Sequence, residues 1–173
     1  MTYGGRRPTH AERGIVTPMP EYAELRCQSY FSLLAASSSP EALAERAGAL
    51  GLRGLALTDV GSLAGAVRFS LACRKAGVRA ILGATVTVDE GDGAGYDLVL
   101  LAENQTGYRH LCQTLTLGLG GTPEQLDAEG DVWLGKRPCR VTLANLAARA
   151  EGVIALTAWA RGPALSALQA GHP

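Results

Sequence analysis

The stretch Tyr22-Ala-Glu-Leu-Arg-Cys-Gln-Ser-Tyr-Phe31 decides how the rest of the chain is interpreted. Tyr22–Cys27 is predicted to form an opening β-strand, and a serine-rich loop follows it. Arg26 and Gln28 lie two positions apart, so in an extended chain their side chains share one face. Two polar side chains at the end of a first strand are well placed to build a site at the mouth of an α/β barrel.

Short apolar strands and amphipathic helices alternate on the C-terminal side of this stretch. Ser39-Pro40-Glu41 is typical of a helix start, because Ser39 can cap, Pro40 suits the first position and Glu41 favours the positive end of the dipole. Gly54–Thr58 is an uninterrupted apolar run, which favours a buried parallel strand. The pattern β-α-β-α-β-β-β-α-loop-α-β-α predicts a parallel sheet or partial barrel, with any site beyond the carboxyl ends of the strands.

The chain is expected to form one domain. Residues 1–20 are rich in Gly, Pro, Arg and Thr and are interpreted as a flexible leader, with the α/β domain over residues 21–173. Residues 118–140 are glycine-rich and are predicted to form a long surface loop, while residues 91–95 predict a hairpin turn. Thr142–Ala150 is predicted to form a helix with Leu143, Leu146 and Ala147 facing inward, and Pro163–Ala170 a short last helix.

Composition restricts the functional classes. The 173 residues have a formal net charge of zero, so no global basic field draws the chain to nucleic acid. The four cysteines contain no Cys-x-x-Cys pair, which argues against a zinc ribbon and favours reduced thiols in a cytoplasmic protein. No apolar run is long enough to span a membrane.

Several phrases, in order, resemble the PHP (polymerase and histidinol phosphatase) family. This domain lies at the N-terminus of bacterial C-family DNA polymerases, including the replicative alpha subunits and, closer here, the error-prone translesion polymerases. The resemblance implies a PHP-type βα barrel that continues well beyond residue 173, and the polymerase palm, fingers and thumb have no counterpart here. The matching phrases are Tyr22-Ala-Glu-Leu-x-Cys-x-Ser-x-Phe-Ser32, Leu55-Ala-Leu-Thr-Asp59, Gly65-Ala-Val-Arg-Phe69, Ala76-Gly77-Val78, Gly107-Tyr108-Arg109-x-Leu111 and Glu151-Gly-Val-Ile-Ala-Leu156.

The same resemblance implies that the metal site of active members is degenerate. The family His-x-His after strand 1, an acidic residue shortly after it, the histidine of Thr-Asp-His and the glutamate after strand 3 are all replaced. The replacing residues are Arg26, Gln28, Ala35, Val60 and Thr85. Phosphoester hydrolysis needs ligands that gather cations and activate water, and Arg26 would repel a cation. We therefore expect no metal, no cofactor and no catalysis.

Arg26 and Asp59 are expected at the ends of adjacent strands facing one mouth. The guanidinium could pair with the carboxylate and stand in for a lost cation. In the alternative interpretation Arg26 points to solvent and Asp59 only caps the turn into the second helix. Coordinates distinguish the two, because the pair requires hydrogen-bond distance or a bridging water.

The favoured function is a structural or partner-binding PHP-like domain in DNA replication or translesion repair, as a polymerase fragment or a stand-alone relic. One alternative is a metal-dependent phosphoesterase or 3′–5′ exonuclease. The other is a nucleic-acid-binding module, to which Arg68, Arg74, Lys75 and Arg79 would contribute, although a solvated surface explains these residues better. Open strand edges favour a partner protein or self-association, while nucleic acid would be an indirect partner.

Overall fold

The computed structural model describes residues 22–89, 95–120, 139–157, 162–164 and 167. The predicted leader (1–20), most of the hairpin turn, most of the predicted long loop and most of the last predicted helix lie outside these residues. Within them, ten helices and strands alternate in the order β-α-β-α-β-β-α-β-α-β.

The first half of the fold is a parallel β-α-β-α-β unit. Its elements are β1 (Ala23–Cys27), α1 (Pro40–Ala49), β2 (Gly54–Leu57), α2 (Ala66–Ala76) and β3 (Arg79–Asp89). Strand β2 pairs in parallel with β1 on one side and with β3 on the other. All residues of β2 are buried, as its apolar run predicted. The carboxyl ends of the three strands therefore lie side by side.

Local signals explain where the two helices begin and end. Ser39 caps α1, because its side chain accepts a hydrogen bond of 3.1 Å from the backbone N–H of Ala42. Helix α2 ends at Ala76 and is capped by Gly77, whose φ of +70° suits the left-handed conformation that closes a helix. Together α1 and α2 cover one apolar core, whose centre includes Leu55 and Phe69.

The second half of the fold contains the antiparallel strand pairs. Its elements are β4 (Gly95–Ala102), α3 (Gln105–Gly120), β5 (Arg140–Thr142), α4 (Leu143–Ala147) and β6 (Val153–Thr157). Strand β4 pairs antiparallel with β3 and with β6, while the short β5 pairs in parallel with the last residues of β3. The sheet order is β1-β2-β3-β4-β6, with β5 beside β3. This confirms the predicted α/β class, a partial barrel of mostly parallel strands.

Two predictions for the second half are wrong in detail. Helix α3 continues to Gly120, into the predicted 118–140 loop, and Arg140 already belongs to β5. The helix continues because Gly118 has no side chain: a Cβ there would lie 2.5 Å from the Sγ atom of Cys139. The predicted Thr142–Ala150 helix ends at Ala147, although Thr142 does cap it through the N–H of Asn145.

Helix α4 buries none of its residues fully. Leu143 is 60% exposed. The predicted inward direction of Leu143, Leu146 and Ala147 is nevertheless confirmed, because all three line an apolar cavity of about 210 Å³ between α4, α3, β4 and β6, and Leu146 packs against the core. Among the described residues, no helix is long and apolar enough to cross a membrane.

Candidate functional site

The carboxyl ends of β1, β2 and β3 form the mouth at which the sequence placed a site. Backbone hydrogen bonds tie these ends together: the Thr58 N–H donates to the Cys27 carbonyl over 2.7 Å, and the Thr85 N–H donates to the Asp59 carbonyl over 3.0 Å. Val60 and Thr85 also form a parallel bridge. The segment after each strand therefore has a fixed position relative to its neighbour.

Asp59 is the centre of the mouth, and its side chain is only 1% exposed. Its carboxylate accepts hydrogen bonds from the Ser29 N–H (2.7 Å), the Ser29 hydroxyl (2.7 Å) and the Ser32 hydroxyl (2.6 Å). The Ser32 oxygen in turn accepts a bond of 3.0 Å from the Val60 N–H. A buried carboxylate needs such donors, because burial removes the water that would otherwise solvate it.

The expected Arg26–Asp59 pair is not formed, so that prediction is wrong. Arg26 is exposed, and the ion pairs among the described residues join Arg68 to Glu41 and Arg140 to Asp89. Two short serine side chains already supply the donors that Asp59 needs, and ordering them costs less entropy than ordering a long arginine. The alternative interpretation, in which Arg26 points to solvent, is correct for this residue. It is wrong for Asp59, whose carboxylate binds the turn after β1 and does not merely cap the turn into the second helix.

The base of the loop between β1 and α1 is held by a second network. The Arg68 guanidinium binds both oxygens of Glu41, over 2.7 and 3.0 Å, and also donates to the Tyr30 hydroxyl. The hydrogen bonds from Arg68 hold the pKa of the Glu41 carboxyl below its ordinary value. The Tyr30 N–H donates to the Ser38 carbonyl over 2.9 Å and closes the loop.

This closed loop presents two leucines to solvent. Leu33 is 67% exposed and Leu34 is fully exposed. Leu34 also has a φ of +63°, a left-handed conformation that is uncommon for a residue other than glycine. An exposed apolar side chain on a strained backbone is a candidate contact for another molecule, since such strain often accompanies functional segments.

A family model of the PHP domain matches residues 24–172. The chain belongs to the PHP family.

Curated relatives of this PHP chain include error-prone DNA polymerases. The one from Bordetella parapertussis is 48% identical over 103 residues, which cover 59% of this chain and 10% of the polymerase. The one from Anaeromyxobacter dehalogenans (strain 2CP-C) is 41% identical over 157 residues, covering 87% of this chain and 13% of the polymerase. The chain thus spans about a tenth of the length of these relatives.

A solved amidohydrolase structure from Chromobacterium violaceum is also similar to this PHP chain. Its TM-score is 0.48 at 24% sequence identity, and the match covers 64% of this chain and 40% of the amidohydrolase.

The positions at which the family resemblance implies altered metal ligands are spread around the mouth. Gln28 is half-buried, Ala35 is exposed in the β1–α1 loop, and Val60 and Thr85 lie side by side. Thr85 is buried, and its hydroxyl donates to the Thr58 carbonyl over 3.0 Å. The structure therefore brings Val60 and Thr85 together with Asp59, but leaves Arg26 and Ala35 in solvent.

The donor atoms at these PHP positions do not fit a cluster of cations. Ala35 and Val60 have no side-chain atom that could bind a metal. The Thr85 hydroxyl is hydrogen-bonded to the Thr58 carbonyl, and the Asp59 carboxylate already accepts three hydrogen bonds. Among the described residues, no group of three or more His, Cys, Asp or Glu side chains could hold a metal ion. The absence of a metal centre itself stays a prediction.

Sequence reasoning missed the residues that organise this PHP mouth. Ser29 and Ser32 belong to the family phrase, but no local pattern indicates that they bind Asp59. The Arg68–Glu41 contact joins residues 27 positions apart and has no local signal. Cys27 borders the mouth as an unpaired thiol, and burial, together with the charges of Glu24 and Asp59, raises its pKa. It is therefore held as a neutral thiol.

Proposed function

We propose that this chain is a non-catalytic PHP domain that serves as a scaffold or partner-binding unit in DNA replication or translesion repair. One observation carries the proposal: the buried carboxylate at the mouth, Asp59, uses its oxygens to hold the chain together. A carboxylate that acts as a metal ligand needs lone pairs directed at the cation, whereas the three donors of Asp59 come from Ser29 and Ser32.

The relatives support the polymerase part of this proposal. The match to error-prone DNA polymerases covers up to 87% of this chain at 41% identity. A role beside such a polymerase would place the protein in the cytoplasm. The partner would be a polymerase, another translesion-repair protein or a second copy of the chain.

Metal content and hydrolysis together test the absence of catalysis. Purified protein would be incubated with zinc, manganese or magnesium, dialysed, and analysed for bound metal. It would then be assayed with bis-p-nitrophenyl phosphate and with a labelled single-stranded oligonucleotide. We expect substoichiometric metal and no hydrolysis above buffer. Stoichiometric zinc or manganese together with phosphoesterase or exonuclease activity would replace the proposal with the enzyme alternative.

A variant that restores family ligands serves as the comparison for metal uptake. It carries Arg26→His, Gln28→His, Val60→His and Thr85→Glu on the same scaffold. We expect the restored variant to retain more metal than the native chain, because it gains imidazole and carboxylate ligands. Equal metal retention by both proteins would mean that these positions do not control metal binding.

The partner-binding part is tested separately by mixing the chain with an error-prone DNA polymerase from which the PHP region has been deleted. We expect a complex whose mass, measured by light scattering, equals the sum of the two chains. Two unchanged masses at micromolar concentration would contradict the polymerase as the partner.

A further inference from the structure

The apolar cavity between α3, α4, β4 and β6 has a closed floor and an open rim. Leu100, Leu111 and Thr114 belong to its floor, and each of them is at most 3% exposed. The rim contains Leu143 and three alanines that are exposed to solvent, namely Ala147, Ala150 and Ala155. In the described part of the chain the cavity can therefore be reached from solvent, and none of its wall residues belongs to the mouth.

Arg149 is the charged residue of the cavity wall, and one of its donors lacks a partner. Its Nη1 atom donates to the Asn145 carbonyl over 3.0 Å, which fixes the guanidinium beside α4. Among the described residues, its Nε atom is the one buried side-chain nitrogen or oxygen without a hydrogen-bond partner. Buried polar groups are nearly always paired, so this donor requires an explanation.

The contact with α4 explains only part of the arginine. A cation beyond the end of a helix stabilises the last carbonyls, and Nη1 alone provides that contact. Burying a further donor of a charged group with no acceptor costs free energy. The ion pairs among the described residues join Arg68 to Glu41 and Arg140 to Asp89, so none of them neutralises Arg149. An acceptor placed at Nε would remove this cost.

We propose that the cavity binds a small amphipathic carboxylate, with its apolar group against the leucines and its carboxylate on Arg149. The Nε–H of an arginine shares one edge of the guanidinium with an Nη2–H, and this edge binds a carboxylate through two parallel hydrogen bonds. A carboxylate fits better than a dianionic phosphate, because the described wall contains one cation.

The volume of the cavity indicates the size of the apolar group. Apolar cavities of about 150 Å³ accept a benzene ring. A volume of about 210 Å³ leaves additional room for a short aliphatic linker to the carboxylate. An aromatic ring joined to a carboxylate by about two carbons therefore represents the ligand class.

The test is isothermal titration of the native chain with three compounds: 3-phenylpropanoate, 3-phenylpropan-1-ol and acetate. We expect 3-phenylpropanoate to bind with a Kd below about 1 mM. The alcohol should bind about tenfold more weakly, because it lacks the charged acceptors for Arg149. Acetate should show no measurable binding, since it leaves the apolar cavity empty.

Three variants locate the site. Arg149→Met keeps an apolar stem but removes the donors, so it should bind the acid and the alcohol equally. Arg109→Met is the matched control, because Arg109 is an exposed arginine of α3 outside the cavity wall, and it should bind like the native chain. Ala155→Phe places a ring in the cavity and should abolish binding of both compounds. Circular dichroism checks that each variant is folded.

Four results would overturn the inference: no binding of the acid by the native chain, equal binding of acid and alcohol, an acid preference that survives in Arg149→Met, or unchanged binding in Ala155→Phe. The comparison of acid with alcohol needs no variant, so a misfolded variant does not remove the test. Binding that weakens as the protein concentration rises would also overturn it, because a second copy of the chain would then occupy the cavity. None of these results bears on metal content or hydrolysis, so this inference and the proposed function can fail separately.

Discussion

At the scale of single residues, the buried carboxylate of Asp59 is bound into the fold by hydrogen bonds. Its three hydrogen bonds come from the loop after β1, and its burial excludes water from the contact. Hydrogen bonds to a charged group contribute about 1.5–3 kcal/mol each, and an unpaired buried donor is costly. Replacing Asp59 should therefore lower the free energy of unfolding.

We expect Asp59→Asn to lower the free energy of unfolding by about 3 kcal/mol, because an amide offers only one oxygen to the donors of Ser29 and Ser32. Urea denaturation followed by circular dichroism measures the change. The matched control is Asp89→Asn, which alters a surface ion pair whose atoms are 3.7 Å apart and should cost less than about 1 kcal/mol. Equal losses in both variants would show that the hydrogen bonds of Asp59 stabilise the fold no more than the surface ion pair of Asp89 does.

Leu34 permits a prediction with the opposite sign. Its left-handed φ of +63° disfavours leucine, and its full exposure means that no buried contact is lost on replacement. Leu34→Asn should raise the free energy of unfolding by about 0.5–1 kcal/mol, since asparagine tolerates this conformation. Leu33→Asn is the control, because Leu33 has no positive φ. A destabilising Leu34→Asn would mean that the leucine makes contacts that outweigh its strain.

Cys73 connects burial to pH dependence. Burial raises the pKa of its thiol to about 11, whereas an exposed thiol titrates near about 8.5. Between these values the unfolded chain binds fewer protons than the folded one, so stability falls as the pH rises, by at most about 1.4 kcal/mol per pH unit. Below about pH 8.5 the contribution is complete.

The measurement compares the native chain with Cys73→Ala by urea denaturation from about pH 8 to about pH 11. The variant lacks the titrating thiol, so its stability should fall by about 3 kcal/mol less over this window. Tyrosine and lysine titrations cancel in the difference. Parallel curves would show that Cys73 ionises equally easily in both states.

At the scale of helices and strands, Gly107 controls how α3 meets the turn before β6. A Cβ at this position would collide with the Gly152 carbonyl oxygen, while the Gly107 N–H donates to the Asn104 side chain over 3.0 Å. Gly107→Ala should therefore cost about 2–3 kcal/mol of unfolding free energy, because the helix must shift away from backbone atoms.

Gly120 is the control in the same helix, since a Cβ there would meet nothing within 4 Å. Gly120→Ala should be neutral or stabilising by up to about 1 kcal/mol, as alanine favours the helix. Thermal unfolding of both variants gives the comparison. Similar effects at the two positions would show that helix propensity, not packing, decides the outcome at Gly107.

How far the sequence predicted these elements depended on the range of the signal. The Ser39 cap and the buried apolar strand β2 (Gly54–Leu57) were predicted correctly because their patterns lie within a few residues. The full length of strand β3 is not evident from the sequence, since Gly83 interrupts its apolar pattern. In the fold, Gly83 lets the strand approach β4, where a Cβ would lie 2.5 Å from the Leu100 carbonyl oxygen. That reason exists only in three dimensions.

The candidate site follows the same rule. The family phrases located the mouth, because those signals are local, whereas the altered ligand positions stay a prediction. The partners of Asp59 were not predicted, since Ser29 and Ser32 lie 30 and 27 residues away and a serine pattern does not indicate which acid it will meet. Arg26 was expected to pair with Asp59 because of its charge, whereas in the structure the shorter side chains of Ser29 and Ser32 bind this carboxylate.

At the scale of the whole molecule, the open sheet leaves β6 with one described partner strand, β4. An edge of this kind offers unpaired backbone groups to another chain. Ile154 on β6 is 46% exposed, and Leu143 on the neighbouring α4 is 60% exposed, so the edge is also apolar. Both features favour association through this side of the molecule.

We therefore expect the average mass from light scattering to increase with protein concentration, and Ile154→Lys to hold the protein as a monomer, because a charge on an edge strand opposes strand addition. Leu71→Lys is the matched control: Leu71 is 50% exposed on α2, in the other half of the fold, and the variant should associate like the native chain. A native chain that stays monomeric throughout the series contradicts the prediction. Equal suppression by both lysines would mean that added charge, rather than the β6 edge, governs association.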